Sequence, residues 1–152
     1  MGTTFVTLGR DRSGAPTSSD REEVGFWAND AMLELWLRLL ALNIGEPSEA
    51  GDDRHKIRTQ WLLASRVNFA GCVPHNLEDF TATSEGFDIV RKAARSLSKM
   101  IDRLDQPIQH QILNLLGFEN LWSRDVAAHD LQQFARMFDD LLEGSMLTLA
   151  SD

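Results

Sequence analysis

The sequence predicts an all-α fold, a single-domain irregular bundle of four long helices and two or more short ones. Three observations support this prediction. Apolar residues recur every three or four positions over long stretches, which is the spacing of one helix face. Residues that favour helix ends flank these stretches. Hydrophobic residues make up 43% of the 152 residues, which is enough for one well-packed core.

The first predicted helix begins at a capping box in residues 19–22 and continues to Asn43, before Gly45. Its polar stripe is narrow and consists of Asp30, Glu34, Arg38 and Ala41. Well over half of its circumference is apolar, whereas a surface helix of a monomer usually has one apolar face. We therefore expect this helix either to lie at the centre of the bundle or to be shared with a partner.

The middle of the chain predicts two further long helices, separated by a loop. The second helix follows Asp52 or Asp53 and continues to Ala70, before Gly71. Residues 72–83 form the loop, with one helical turn starting at Asn76. The third helix begins at Thr83 or Ser84 and stops before Pro107, since proline restricts the residue before it. Its apolar face is Phe87, Val90, Ala94, Leu97, Ile101 and Leu104.

The last part of the chain predicts a short helix after Pro107 that ends at Gly117, and one more turn over residues 118–122. The fourth long helix is predicted to begin at Ser123 and to end at Gly144. Its apolar face is Ala127, Leu131, Phe134, Phe138, Leu141 and Leu142.

The predicted organisation is a flexible N-terminal tail over residues 1–18, a helical bundle domain over 19–145 and a C-terminal tail over 146–152. Residues 3–18 are rich in Thr, Ser, Gly and Arg. The run from Phe5 to Leu8 has strand character, but a single run cannot make a sheet. It is therefore assigned to the tail.

Charge and cysteine content exclude several functional classes. The net charge of −8 argues against direct nucleic-acid binding, which normally requires a basic surface. Residues 31–42, the most apolar stretch, are too few to span a membrane and contain two charges. The chain has one cysteine, Cys72, and no basic-then-apolar leader at its start. These features predict a cytoplasmic protein.

Two residue pairs have types that could support chemistry. Cys72 and His75 are three positions apart and could form a thiol–imidazole pair or supply two zinc ligands. Asp125 and His129 are four positions apart and could share a helix face as metal ligands. The chain has no second cysteine for a structural zinc site and no paired Glu-x-x-His motif. We therefore predict no catalytic, cofactor-binding or metal-binding residue, and treat Cys72 as a small hydrophobe and His75 as a polar loop residue.

Charge is distributed unevenly along the chain. The segment from Gln106 to Asp152 holds seven acids and two bases. Three of the acids lie at the end of the last predicted helix, where the helix dipole disfavours negative charge. The third helix carries a basic stripe instead. These charges give the predicted partner-binding residues, Asp130, Asp139, Asp140, Glu143, Arg91, Arg95 and Lys99. The alternatives are a solvated acidic face and pairing of the basic stripe with neighbouring acidic helices.

The sequence favours a non-catalytic protein-interaction module whose partner is another protein. Its most specific form is a small acidic inhibitor or immunity-type protein that binds and neutralises another macromolecule. No phosphate-binding glycine loop or nucleophile elbow is present, so the sequence predicts no enzyme. Two alternatives remain open. One is a helical enzyme or sensor that binds a small molecule or metal near Cys72, His75, Asp125 and His129. The other is a structural or regulatory homodimer joined through the first helix.

Overall fold

The structure is a computed structural model that describes residues 2–11, 13–16, 23–45, 52–66 and 72–144. In these ranges the chain forms six helices and a two-stranded antiparallel sheet. The strands are β1 (Thr3–Thr7) and β2 (Gly25–Asn29). The helices are α1 (Asp30–Leu42), α2 (Asp53–Arg66), α3 (Leu77–Phe80), α4 (Ser84–Asp102), α5 (His110–Leu113) and α6 (Ala128–Glu143). The fold is mixed α/β, so the all-α prediction is wrong.

The two strands form a ladder in which Phe5 lies opposite Trp27 and Val6 lies opposite Phe26. Side chains alternate between the two faces of a strand, so Val6 and Phe26 enter the core while Phe5 and Trp27 lie on the outer face. Threonine and aromatic residues favour this extended pairing. Gly25 is required at the end of the ladder, because a Cβ there would overlap the Val6 carbonyl oxygen and crowd the Phe5 ring.

The hairpin corrects two predictions about the first part of the chain. Residues 3–7 form β1, although the sequence assigns them to a flexible tail, and residues 25–29 form β2, although the sequence places them in the first helix. Helix α1 begins at Asp30 and is capped by Asn29. The Asn29 Oδ1 atom accepts hydrogen bonds from the backbone N–H groups of Ala31 and Met32, at 3.0 and 3.4 Å. The predicted capping box at residues 19–22 lies outside the described residues. Neither strand could be predicted from its own residues alone, since the backbone of a single extended segment needs a second strand to accept and donate its hydrogen bonds.

Helix α1 lies at the centre of the fold and contacts both strands, α2 and α4. The central position is therefore confirmed. Leu37 and Leu40 are fully buried within the chain, and Leu42 near the helix end is half exposed. The homodimer seam that the sequence places on this helix has no free surface at Leu37 or Leu40.

Aromatic side chains join the hairpin, α1 and α6 in one core. The Trp36 ring lies 5.2 Å from the Phe134 ring and 5.6 Å from the Phe138 ring, measured between centroids. The Phe26 ring of β2 meets Phe134 edge to face at 5.4 Å. Such contacts stabilise a core beyond the area that they bury. The hairpin is therefore part of the domain core.

Helices α4 and α6 pack side by side and run in opposite directions. Arg91, near the start of α4, meets Glu143 at the end of α6. At the other end, the side-chain amide of Gln132 donates hydrogen bonds to the backbone carbonyls of Ile101 and Leu104, each at 3.1 Å. The Ile101 carbonyl lies in the last turn of α4 and also accepts from the Leu104 backbone N–H, and the Leu104 carbonyl lies just beyond the helix end. Gln132 therefore caps α4 from the neighbouring helix.

The remaining boundary predictions have mixed outcomes. Thr83 caps α4 through Gly86, and Gly144 ends α6 at a φ of 74°, both as predicted. Helix α6 begins at Ala128 rather than after Ser123, and residues 118–122 form no helical turn. The predicted end of the second helix at Ala70 and the predicted tail over 146–152 lie outside the described residues. Each described helix is too short or too polar to span a lipid bilayer.

Candidate functional site

The outer face of the β-hairpin carries two aromatic side chains that the core does not use. Phe5 and Trp27 are cross-strand partners, and their ring centroids lie 5.2 Å apart at an interplanar angle of 49°. The Trp27 side chain is 50% exposed. Large aromatic side chains on a rigid surface supply the anchors of many binding sites, because they bury much area at low entropic cost.

The aromatic pair lines an open groove of ≈ 510 Å³, which we call the hairpin groove. One wall is the outer face of the hairpin, and the other is formed by residues 72–79, the loop before α3 and α3 itself. The hairpin groove therefore joins residues from three separated parts of the sequence.

His75 holds the two walls together. The Leu77 backbone N–H donates to His75 Nδ1 at 3.1 Å, so Nδ1 carries no proton. The proton therefore lies on Nε2, which donates to the Phe5 carbonyl at 2.9 Å. Burial lowers the pKa of His75 below its ordinary value of 6.5, and the Phe5 carbonyl and Glu78 oppose this only in part. The imidazole is a neutral link between β1 and α3.

Three further hydrogen bonds fix the loop wall. The Val73 backbone N–H donates to Thr4 Oγ1 at 2.9 Å, and Thr4 Oγ1 donates to Asp30 Oδ1 at 2.7 Å. Trp61 Nε1 of helix α2 donates to the His75 carbonyl at 2.9 Å. The loop is thus attached to β1, to the start of α1 through Thr4, and to α2. A groove with walls fixed in this way needs little reorganisation to receive a ligand.

The charge of the hairpin groove is negative. Glu78 and Asp79 are exposed in the first turn of α3, and the described residues that line the groove include no Lys or Arg. His75 is neutral, as its hydrogen bonds show. Arg10, beyond the end of β1, donates to the Thr81 carbonyl at 2.9 Å. The groove therefore presents carboxylates beside aromatic rings, a combination that favours a cation.

The predicted thiol–imidazole pair does not form in this arrangement. Both ring nitrogens of His75 are bonded to backbone groups, so neither is available to accept a proton from Cys72. Cys72 is exposed at the edge of the groove rather than packed as a small hydrophobe. His75 lies in the loop, as predicted, but its ring is partly buried and connects β1 to α3, which the sequence did not predict.

The predicted pair of Asp125 and His129 is also rearranged. Asp125 Oδ1 accepts hydrogen bonds from the His110 backbone N–H at 2.8 Å and from His110 Nδ1 at 2.7 Å. The backbone bond, followed by the imidazole bond, lowers the pKa of Asp125. Asp125 therefore caps the start of α5, and His129 is exposed at the start of α6. In the described ranges, no group of three or more His, Cys, Asp or Glu side chains could hold a metal ion.

The charged residues predicted to bind a partner lie on the two packed helices α4 and α6. Glu143 Oε1 lies 3.1 Å from Arg91 Nε and 3.5 Å from Arg95 Nη2. The acidic helix end and the basic stripe therefore neutralise each other in part, as the pairing alternative predicts. The other predicted residues are exposed or half-exposed on the same helices and comprise Lys99, Asp130, Asp139 and Asp140.

Of the residues that line the hairpin groove, the sequence singled out Cys72 and His75, but not the aromatic pair or the two carboxylates. Phe5 was assigned to a tail, Trp27 to a helix, and Glu78 and Asp79 to the loop over residues 72–83. The local signal that indicates the two strands is their content of β-branched residues in 3–7 and of adjacent aromatic residues, Phe26 and Trp27, in 25–29. That signal becomes specific only when the two runs are paired.

No family model, curated protein or solved structure matches this chain.

Proposed function

We propose that the protein is a non-catalytic binding module that takes a basic segment of another protein into the hairpin groove. The observation that carries this proposal is the position of the Phe5–Trp27 pair beside Glu78 and Asp79, with no Lys or Arg among the described lining residues. An arginine or lysine side chain would lie against the aromatic rings and direct its charge toward the carboxylates.

A protein segment fits this groove better than an isolated small cation. The groove is open and extends along a strand face, so its occupant need not be enclosed. The net charge of −8 attracts a basic partner from a distance and increases the rate of encounter. A small acidic inhibitor or immunity-type protein, acting in the cytoplasm on a basic surface of its target, is the most specific form of this proposal.

The enzyme or sensor interpretation has less support from the described residues. It requires Cys72, His75, Asp125 and His129 to act on one ligand. Instead, His75 is bonded to Phe5 and Leu77, and Asp125 is bonded to His110. His75 and Asp125 therefore have structural partners of their own.

The proposal is tested by titrating the full chain with an arginine-containing peptide, blocked at both ends, and with a matched peptide in which glutamine replaces each arginine. The backbone and indole N–H signals in the NMR spectrum report the site. We expect the arginine peptide to shift the Trp27 indole signal in a saturable way. The glutamine peptide should bind at least about tenfold more weakly, because it lacks the charge.

Two double variants distinguish the effect of the groove carboxylates on binding from the effect of the net charge. Glu78→Gln with Asp79→Asn should weaken arginine-peptide binding by about tenfold. The control, Asp102→Asn with Asp105→Asn, changes the net charge equally at exposed positions that do not line the groove and should bind as the parent does. Equal losses in the two double variants, or an unchanged Trp27 indole signal with the arginine peptide, would contradict the proposal. Spectra of both variants without peptide establish that they are folded.

A further inference from the structure

A second pocket, which we call the Arg38 pocket, lies between α2 and the segment that follows α5. It has a volume of ≈ 500 Å³ and is lined by Arg38, Leu62, Leu63, Arg66 and Gly117. This volume is within the usual range of small-molecule sites. The lining combines apolar leucine surface with two arginine residues, and no Asp or Glu is among its described residues.

Arg38 is buried without a counter-charge among the described residues. Only 8% of the residue is exposed. Its Nη1 donates to the Leu116 carbonyl at 3.0 Å, and its Nη2 donates to the Leu62 carbonyl at 3.1 Å. The Phe118 ring lies 5.4 Å from Cζ. These partners are neutral, whereas buried charges in proteins are usually paired with an opposite charge.

The guanidinium group keeps donor capacity in addition to these two bonds. Arginine has five N–H donors, and the buried Nε of Arg38 has no hydrogen-bond partner. Gly117, at a φ of +95°, borders the group, and a Cβ there would lie 3.4 Å from Nη1. A glycine at this position therefore keeps the space beside the guanidinium open.

Neighbouring charges do not supply the missing anion. Arg66 is exposed at the pocket rim, and its positive charge adds to the effect of burial in lowering the pKa of Arg38. Glu34 precedes Arg38 by one helical turn but makes no ion pair with it in the described structure. Its own pKa is raised to about 7, by burial first and by Asp30 second. Two like charges therefore face the pocket together.

We propose that the Arg38 pocket binds an aliphatic carboxylate. The carboxylate group would lie between the guanidinium groups of Arg38 and Arg66, where it satisfies unused N–H donors and relieves the repulsion between the two cations. The aliphatic chain would cover Leu62 and Leu63. Inorganic phosphate fits less well, because it has no apolar part to contact the leucines. This site is separate from the hairpin groove and does not depend on the proposed function.

The experiment is an NMR titration of the full chain with octanoate, with acetate and octan-1-ol as probes that carry only the charge or only the chain. We expect octanoate to shift the Leu63 and Gly117 signals in a saturable way. Each control probe should bind at least about tenfold more weakly. Octanol binding as tightly as octanoate would overturn the carboxylate assignment, and so would octanoate causing no saturable shift at these residues.

Arg66 provides the matched substitution, since it is exposed and its removal should leave the fold intact. Arg66→Gln should weaken octanoate binding by about tenfold, through loss of one charge-assisted interaction. Arg136→Gln removes an exposed arginine from α6, outside the pocket, and should leave octanoate binding unchanged. Leu63→Ser should reduce binding of octanoate but not of acetate. If Arg66→Gln and Arg136→Gln have the same effect, the pocket is not the site.

Discussion

The hairpin groove and the Arg38 pocket are both linked to one polar stripe of helix α1, the groove through Thr4 and the pocket through Arg38 itself. At the start of this stripe Asp30 accepts a hydrogen bond from Thr4 of the hairpin, and two turns later Arg38 donates to the backbone of Leu62 and Leu116. The groove combines exposed carboxylates with aromatic rings. The pocket combines guanidinium groups with leucines, and one of these groups is buried.

The comparison shows how polar residues on a central helix are used. The sequence indicates this stripe as the polar side of an otherwise apolar helix. In the structure Asp30 connects α1 to strand β1, and Arg38 connects it to helix α2 and to the segment after α5. A narrow polar stripe on a central helix therefore indicates points where neighbouring segments attach to it.

The largest effect is expected at the Arg38 end. Arg38→Met should lower the free energy of unfolding by about 3 kcal/mol, because it removes the donor of the Leu116 carbonyl, one of the donors of the Leu62 carbonyl and the contact with Phe118. Arg66→Gln, at the exposed rim of the same pocket, should change it by less than about 0.5 kcal/mol. Urea unfolding of both variants measures the difference. Similar stabilities would show that the buried guanidinium does not hold the segment after α5.

The second prediction concerns the hairpin, at the point where Gly25 of β2 lies close to the Val6 carbonyl oxygen of β1. Gly25→Ala should cost about 2 kcal/mol and weaken the groove, because the added methyl group overlaps the Val6 carbonyl oxygen and separates the strands. Gly45→Ala is the control, since a Cβ there meets only Arg54 Nη1 at 3.9 Å. Thermal unfolding and the Trp27 indole signal report the two effects. A stable Gly25→Ala protein with an unchanged Trp27 signal would contradict the hairpin register.

His75 predicts a pH dependence that belongs to the hairpin end alone. Its pKa is lowered by burial in the folded state, so the unfolded chain binds the proton more readily. The stabilisation is complete above 6.5, the ordinary value, and decreases as the pH falls below it toward the folded pKa. Glutamine retains a donor for the Phe5 carbonyl but does not titrate. The free energy of unfolding of His75→Gln should therefore lack the part of the pH dependence that His75 contributes. Unfolding measured against pH would contradict the prediction if parent and variant had the same slope.

The last expected effect concerns Glu34, which lies between Asp30 and Arg38 on the stripe. Its folded pKa of about 7 lies above the ordinary 4.5, so the folded chain holds the proton more readily and stability decreases as the pH rises through this interval. This slope is opposite in sign to that of His75. Glu34→Gln should therefore stabilise the protein more at the upper end of the interval than at the lower end. A stabilisation that does not vary with pH would show that Glu34 titrates normally.

The candidate site was harder to predict than the core. The sequence singles out the loop that contains His75, but it does so for a thiol–imidazole pair with Cys72 that is absent from the structure. The role of His75 depends on the Phe5 carbonyl, which lies on a strand that the sequence did not predict. In the same way, the charged stripe on α4 is predicted correctly, while its contact with Glu143 depends on how α4 and α6 pack.

The sequence by itself determined the helical part of the protein. Thr83 and Gly144 mark helix ends, and the apolar positions of α4 and α6 form their buried faces, because helix hydrogen bonds and side-chain spacing involve residues only a few positions apart. Only the tertiary structure decided the hairpin and both pockets. The hydrogen bonds of a strand, and the partners of a buried arginine, come from distant parts of the chain. Their physical cause is therefore absent from any local window of the sequence.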